Sequence, residues 1–118
     1  MSNSGLSDLK QRLRDFAAAR DWEQYHSPKN LTMALSVEVS EIVEHFQWLT
    51  EEQSKNLPKD KQAEVKTELA DTFIYLIRLA DKLDIDLLDV AEQKINHNEE
   101  KYPVDKVRGS AKKYTEYE

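Results

Sequence analysis

Cysteine is absent and glycine nearly so: of 118 residues only Gly5 and Gly109 are glycine, which leaves Leu6 to Arg108 without one. Without cysteine there is no disulfide framework, no thiol nucleophile and no cysteine-ligated zinc, and the composition fits a reducing compartment. The glycine gap is more selective. Walker loops, dinucleotide fingerprints and tight hairpins need backbone at positive φ or in close approach to phosphate. A P-loop, a Rossmann crossover and a hairpin-rich β fold are therefore not expected, and any phosphate chemistry falls to side chains and metal. The N-terminus lacks the apolar stretch of a signal peptide, and no run approaches the ~20 apolar residues of a membrane span, so a soluble, cytoplasmic protein without a membrane partner is expected. An excess of basic residues is also missing. The 17 Lys and Arg against 23 Asp and Glu give a formal charge of −6, which opposes binding to a nucleic acid polymer or an anionic membrane.

What is present is helical periodicity, punctuated by three prolines. Ser7 to about Arg20 repeats Leu9, Leu13 and Phe16, with Ser7 as the expected N-cap. Ser27 followed by Pro28 reads as an N-cap with proline at the first helical position. From there Leu31, Leu35, Val39, Ile42, Phe46 and Leu49 predict a helix over about 28–49. A polar connector, Thr50 to Leu57, precedes Pro58, which opens a third helix carried by Val65, Leu69, Phe73, Leu76, Ala80 and Leu83. A fourth starts near Asp84 or Asp86, repeats Leu87, Val90, Ala91, Lys94 and Ile95, and stops before Pro103. The expected fold is all-α: one four-helix domain over 1–103, with an irregular basic and acidic tail over 104–118.

Acidic residues fall on the margins of the apolar arcs. On the second helix Glu38 neighbours Leu31, Ala34, Leu35, Glu41, Ile42 and His45, with Glu44 a turn past Glu41. On the third, Glu68 neighbours Val65, Asp71, Thr72 and Tyr75. Packed antiparallel, as the short connector favours, the two helices turn both pairs toward one cleft. Ionised carboxylates about 5 Å apart repel by roughly 3 kcal/mol per pair at an effective dielectric near 20. Four together rival the ~5–15 kcal/mol stability of a domain, so protons or a cation must compensate. All-oxygen ligands select a hard ion, Mg²⁺ with Mn²⁺ as a substitute. Spacing alone leaves a metal site and an ion-pair network both open. A ferritin-like di-iron site needs Glu-x-x-His on two helices, and neither His45 nor His97 has a Glu three residues before it.

Trp22, Tyr25, His26, Trp48 and Tyr75 can flank a bound ligand, since stacking a base on an aromatic face contributes roughly 1–3 kcal/mol. Read singly, Trp48 caps the core at a helix end and Trp22 seals the first connector. Lys94 and Asn98 share a face of the fourth helix, where an ammonium can meet phosphate and an amide can read a base edge. Lys106, Arg108, Lys112 and Lys113 form a basic cluster in the tail, suited to closing over a polyphosphate or equally to a mobile chain end.

Glu38-Val-Ser-Glu41 followed by Glu68-Leu-Ala-Asp71 resembles the paired ExxE and ExxD motifs of the MazG-like nucleotide pyrophosphohydrolases, an all-α NTP pyrophosphatase superfamily. The likeness is greatest to the branch that acts on dCTP. Arg20-Asp-Trp-Glu-Gln-Tyr-His26, Phe46-Gln-Trp48, Asp71 to Tyr75, Tyr102-Pro103 and Lys113-Tyr-Thr-Glu116 extend the resemblance over nearly the whole chain. It implies a homotetramer, a dimer of dimers, in which Mg²⁺ on Glu38, Glu41, Glu68 and Asp71 binds a nucleoside triphosphate. Water then attacks the α-phosphorus and releases a nucleoside monophosphate and pyrophosphate, a nucleotide-pool house-cleaning reaction. The same resemblance places Trp22, Glu23, Gln24, Tyr25, His26, Trp48 and Tyr75 around the nucleoside, with Asn98 at the base. Glu41 is the expected general base. Where the dCTP enzyme has a substrate-contacting histidine on its first helix this chain has Leu13, which leaves open dUTP or another non-standard nucleotide. A non-enzymatic helical interaction module is the alternative of a different class, and it leaves the placement of the acids unexplained.

Overall fold

The structure, a computed structural model, describes residues 3–109. Among these, every regular element is helical: α1 (Asn3–Ala19), a 3-10 turn (Glu23–Tyr25), α2 (Pro28–Phe46), α3 (Glu51–Lys55), α4 (Lys59–Lys82), α5 (Leu87–Lys101) and α6 (Val104–Val107). The chain divides into two compact units, one up to Ile85 and one from Asp86 onward. No helix among the described residues is long and apolar enough to cross a membrane.

The four long helices are those the periodicity predicts, and their starts follow from capping chemistry. The Ser27 hydroxyl accepts from the Asn30 amide ahead of Pro28 at the first helical position, satisfying one of the orphan donors of a helix N-terminus. Asp86 does the same for α5 by accepting from the Asp89 amide. Four expectations are corrected. Ser7 is not an N-cap, because α1 already begins at Asn3. The connector holds a helix of its own, α3, closed by a reciprocal capping box between Thr50 and Gln53, and α2 ends at Phe46 rather than Leu49. A turn of helix, α6, occupies Val104–Val107, a stretch read as irregular.

Helix ends explain how the chain turns without glycine. Asp21 (φ 54°) and Asp84 (φ 56°) take the left-handed conformation, which Asp tolerates better than most residues. After α1 the Trp22 amide donates to the Ala17 carbonyl at 2.9 Å and the Asp21 amide to Ala18 at 3.1 Å. After α4 the Ile85 and Asp84 amides donate to Ala80 and Asp81 in the same pattern. Both are Schellman closures, and the first carries the hydrophobic contact that often accompanies them, Phe16 edge-on to Trp22 at 5.6 Å.

Within the first unit α4 packs chiefly against α2 and also against α1. Leu31, Val65, Ile77, Ala80 and Ala17 form the buried apolar core. His45, late on α2, faces Lys61, Glu64 and Glu68, early on α4, so the two helices run antiparallel and bring their acidic margins together.

Candidate metal centre and the adjoining turn

Glu38 and Glu41 lie one turn apart on the half-buried margin of α2, and Glu68 lies on the facing margin of α4. One carboxylate oxygen from each falls within 4.8 Å of the other two. Asp71, one turn past Glu68 and also half-buried, stands outside that three-way convergence but close enough to oppose the ionisation of Glu38 and Glu68. Burial first, then Glu41, Asp71 and Glu68, push the Glu38 carboxyl up to about 7 from its ordinary 4.5. Glu68 is raised as well, by the adjacent Glu41 carboxyl and then by burial. One oxygen each of Glu38 and Glu68 is buried without a hydrogen-bond partner. Buried acceptors are normally satisfied, so convergent, orphaned carboxylate oxygens fit a hard divalent cation.

His45 backs this cluster. Lys61 Nζ lies 3.3 Å from its Nδ1; because an ammonium only donates, Nδ1 is the acceptor in this contact. The other ring nitrogen, Nε2, faces Glu68 Oε1 at 4.0 Å. Glu64 completes the surroundings, 3.7 Å from His45 and 3.5 Å from Lys61.

Further along the same arc of α4 come Tyr75, half-buried one turn past Asp71, and Arg78, which is only 3% exposed. Arg78 Nη2 donates to Glu23 Oε1 at 2.8 Å and lies 3.2 Å from His26 Nδ1. Its Nη1 is 3.5 Å from Asp81, which is gripped in turn by Arg14 Nε and Nη2 at 2.7 and 2.5 Å. Lys82 pairs with the second oxygen of Glu23. Lys82 first, with Arg78, holds Glu23 below the usual carboxylate range, and Arg14 does the same for Asp81. Burial and then the Arg78 charge lower His26. Sequence reading placed Glu23 and Gln24 among nucleoside contacts; here the Glu23 carboxylate is engaged by two cations, and Gln24 Nε2 is bonded back to Asp21. Sequence pattern alone gives Arg78 no anchoring role. Its signal was a cation on the apolar margin seven residues past Asp71.

Trp22 is half-exposed between Phe16 and His26, its ring 6.4 Å from the imidazole, and Tyr25 is 60% exposed on the same turn. Trp48 does not cap the core: it is 86% exposed. Lys94 and Asn98 lie on α5 in the second unit, as do Lys106 and Arg108 beyond it, whereas Lys112 and Lys113 lie outside the described residues. Leu13 lines an apolar groove of about 640 Å³ between α1 and α4, with Leu9, Phe16, Phe73, Ile74 and Ile77.

The paired acids on antiparallel helices form a carboxylate cluster that could hold a divalent cation. Comparison with known proteins gives the chain a family. The model of the MazG-like family matches residues 33–117, and the chain belongs to that family. It is 43% identical over 113 residues to dCTP pyrophosphatase 1 of Mus musculus and 40% identical over 113 residues to that of Homo sapiens. Each alignment covers 94% of this chain, which spans 66% of the length of either relative. A pyrophosphatase from Archaeoglobus fulgidus DSM 4304 superposes with a TM-score of 0.79 at 37% identity, covering 84% of this chain and 93% of the archaeal one.

Proposed function

We propose that this protein is a Mg²⁺-dependent nucleoside triphosphate pyrophosphohydrolase that converts a deoxynucleoside triphosphate, dCTP or a modified dCTP first, and water into the monophosphate and pyrophosphate. The observation that carries this reading is the convergence of Glu38, Glu41 and Glu68 within 4.8 Å, with two buried oxygens lacking any partner. The names of the relatives, dCTP pyrophosphatase and pyrophosphatase, support the substrate class.

Glu38, Glu41 and Glu68, with Asp71 beside them, would hold Mg²⁺ or its substitute Mn²⁺. When bound, the ion supplies positive charge against the phosphates and makes water a stronger acid. Glu41 accepts the proton of the water that attacks the α-phosphorus, and the bond between that phosphorus and the bridging oxygen of the departing pyrophosphate breaks. Tyr75, Trp22 and His26 line the approach to the nucleoside, together with Tyr25 and Trp48. The exposed apolar side chains of α2 and α4 support assembly into a homotetramer.

Incubating the full chain with dCTP and Mg²⁺ and separating the products tests the chemistry: dCMP and pyrophosphate are expected, whereas dCDP and orthophosphate would place the attack elsewhere. A panel of nucleotides including dUTP settles base preference, which Leu13 in its apolar groove leaves to measurement.

A further inference from the structure

We infer that Glu23 and Arg78 are positioning residues that fix the Trp22–His26 turn onto α4, and that the Glu23 carboxylate does not contact the nucleotide. This rests on the pyrophosphohydrolase reading and deepens it.

Arg78 is unusual in being charged and 3% exposed, a condition an arginine accepts only when paired. It follows Asp71 by seven residues and Tyr75 by three, so it shares their arc of the helix. Whatever Arg78 holds is thereby indexed to the acidic cluster through one rigid element. It holds two groups of the same turn: the Glu23 carboxylate at 2.8 Å and His26 Nδ1 at 3.2 Å. Lys82, one turn further, takes the other Glu23 oxygen. Both oxygens of Glu23 are thus directed at α4, and its negative charge is compensated before a polyanion arrives. A guanidinium does not give up its proton, so His26 Nδ1 is the acceptor and the ring presents Nε2–H. Trp22, edge-on to Phe16 and adjacent to His26, is set by the same clamp. Arg78 and Lys82 therefore fix the placement of the turn and the tautomer of its histidine, from 55 and 59 residues away in sequence.

Glu23→Gln, Arg78→Gln and the double variant of the full chain, assayed with dCTP and Mg²⁺, test this. Positioning predicts that Glu23→Gln raises KM about tenfold with kcat within about twofold. In the Arg78→Gln background the same change adds less than about twofold, because both residues act through one contact. Additive effects would assign Glu23 a contact of its own with substrate and overturn the proposal. Nitrogen-15 spectra of the His26 ring supply a readout that needs no turnover. In the wild type Nδ1 is unprotonated and Nε2 carries hydrogen, and Glu23→Gln and Arg78→Gln each shift these resonances in the ligand-free protein. A His26 spectrum unmoved by Glu23→Gln sinks the proposal even where Arg78→Gln fails to fold. Absence of dCTP hydrolysis in the wild type, with the His26 shifts present, would instead refute the activity and leave the clamp standing.

Discussion

At Glu38, burial and three neighbouring acids raise the carboxyl from 4.5 to about 7. The unfolded chain gives up this proton near 4.5 and the folded one holds it to about 7, so across that window the folded state binds more protons and loses stability as pH rises. Glu23 and Asp81, held low by their cations, act in the opposite sense, but only below about pH 4.5. The metal-free protein is therefore expected to be about 1–3 kcal/mol less stable at pH 8 than at pH 5 on account of Glu38. Melting in EDTA at both values checks this. Glu38→Gln should remove most of that slope, raise the metal-free melting temperature at pH 8 and abolish dCTP hydrolysis; a variant with the wild-type slope would move the conflict to another residue. A cation that binds only the folded, deprotonated cluster stabilises more as pH rises. The increase in melting temperature on adding Mg²⁺ should accordingly be larger at pH 8 than at pH 5.

Each helix begins and ends on a local device, and the devices differ in how far they can be read from sequence. Asp84 closes α4 at φ 56°, where a Cβ-bearing residue without a short polar side chain costs roughly 1–2 kcal/mol. Asp84→Ala is expected to lower stability by about 1 kcal/mol, or roughly 4 °C in a domain of this size, while Asp84→Gly should leave it equal or higher. Thermal denaturation of the two variants decides; equal losses would show that the side chain, not the backbone angle, matters. Ser27 with Pro28, and Asp86 ahead of α5, were legible because cap residue and apolar period coincide. The αL aspartates were not, since without glycine nothing in composition marks them. Thr50-x-x-Gln53 was a readable capping box, obscured because no apolar period follows so short a helix. In the site, Glu38, Glu41 and Glu68 were legible from spacing on two adjacent helices. The partnership of Glu23 with Arg78 was not, because it joins residues 55 apart, and only tertiary packing sets such a pair.

On the scale of the whole molecule, the acidic charge and the exposed apolar surface belong to opposite sides of α4. One arc carries Glu68, Asp71, Tyr75 and Arg78. Leu69, Phe73, Leu76 and Leu83 form a stripe on another, each between 37% and 53% exposed, and α2 exposes Met33, Val37, Val39 and Val43. Single exposed apolar residues are ordinary, but contiguous stripes mark interaction surfaces. Among the described residues only five apolar side chains are buried, a small core for a chain whose length should bury roughly two thirds of its unfolded surface. The proposed self-association would supply further burial, and cyclic or dihedral symmetry is the usual form it takes. The proposed homotetramer therefore predicts a solution mass near four times the 13.8 kDa chain. Leu69→Glu makes the test specific. On an isolated subunit, an exposed substitution of this kind moves stability by no more than about 0.5 kcal/mol. At a buried contact it places an unpaired charge in an apolar surface, so the variant should elute as a smaller species in size-exclusion chromatography with light scattering and lose melting temperature. A wild-type chain that runs as a monomer, or a Leu69→Glu variant of unchanged mass, would exclude this stripe as the interface.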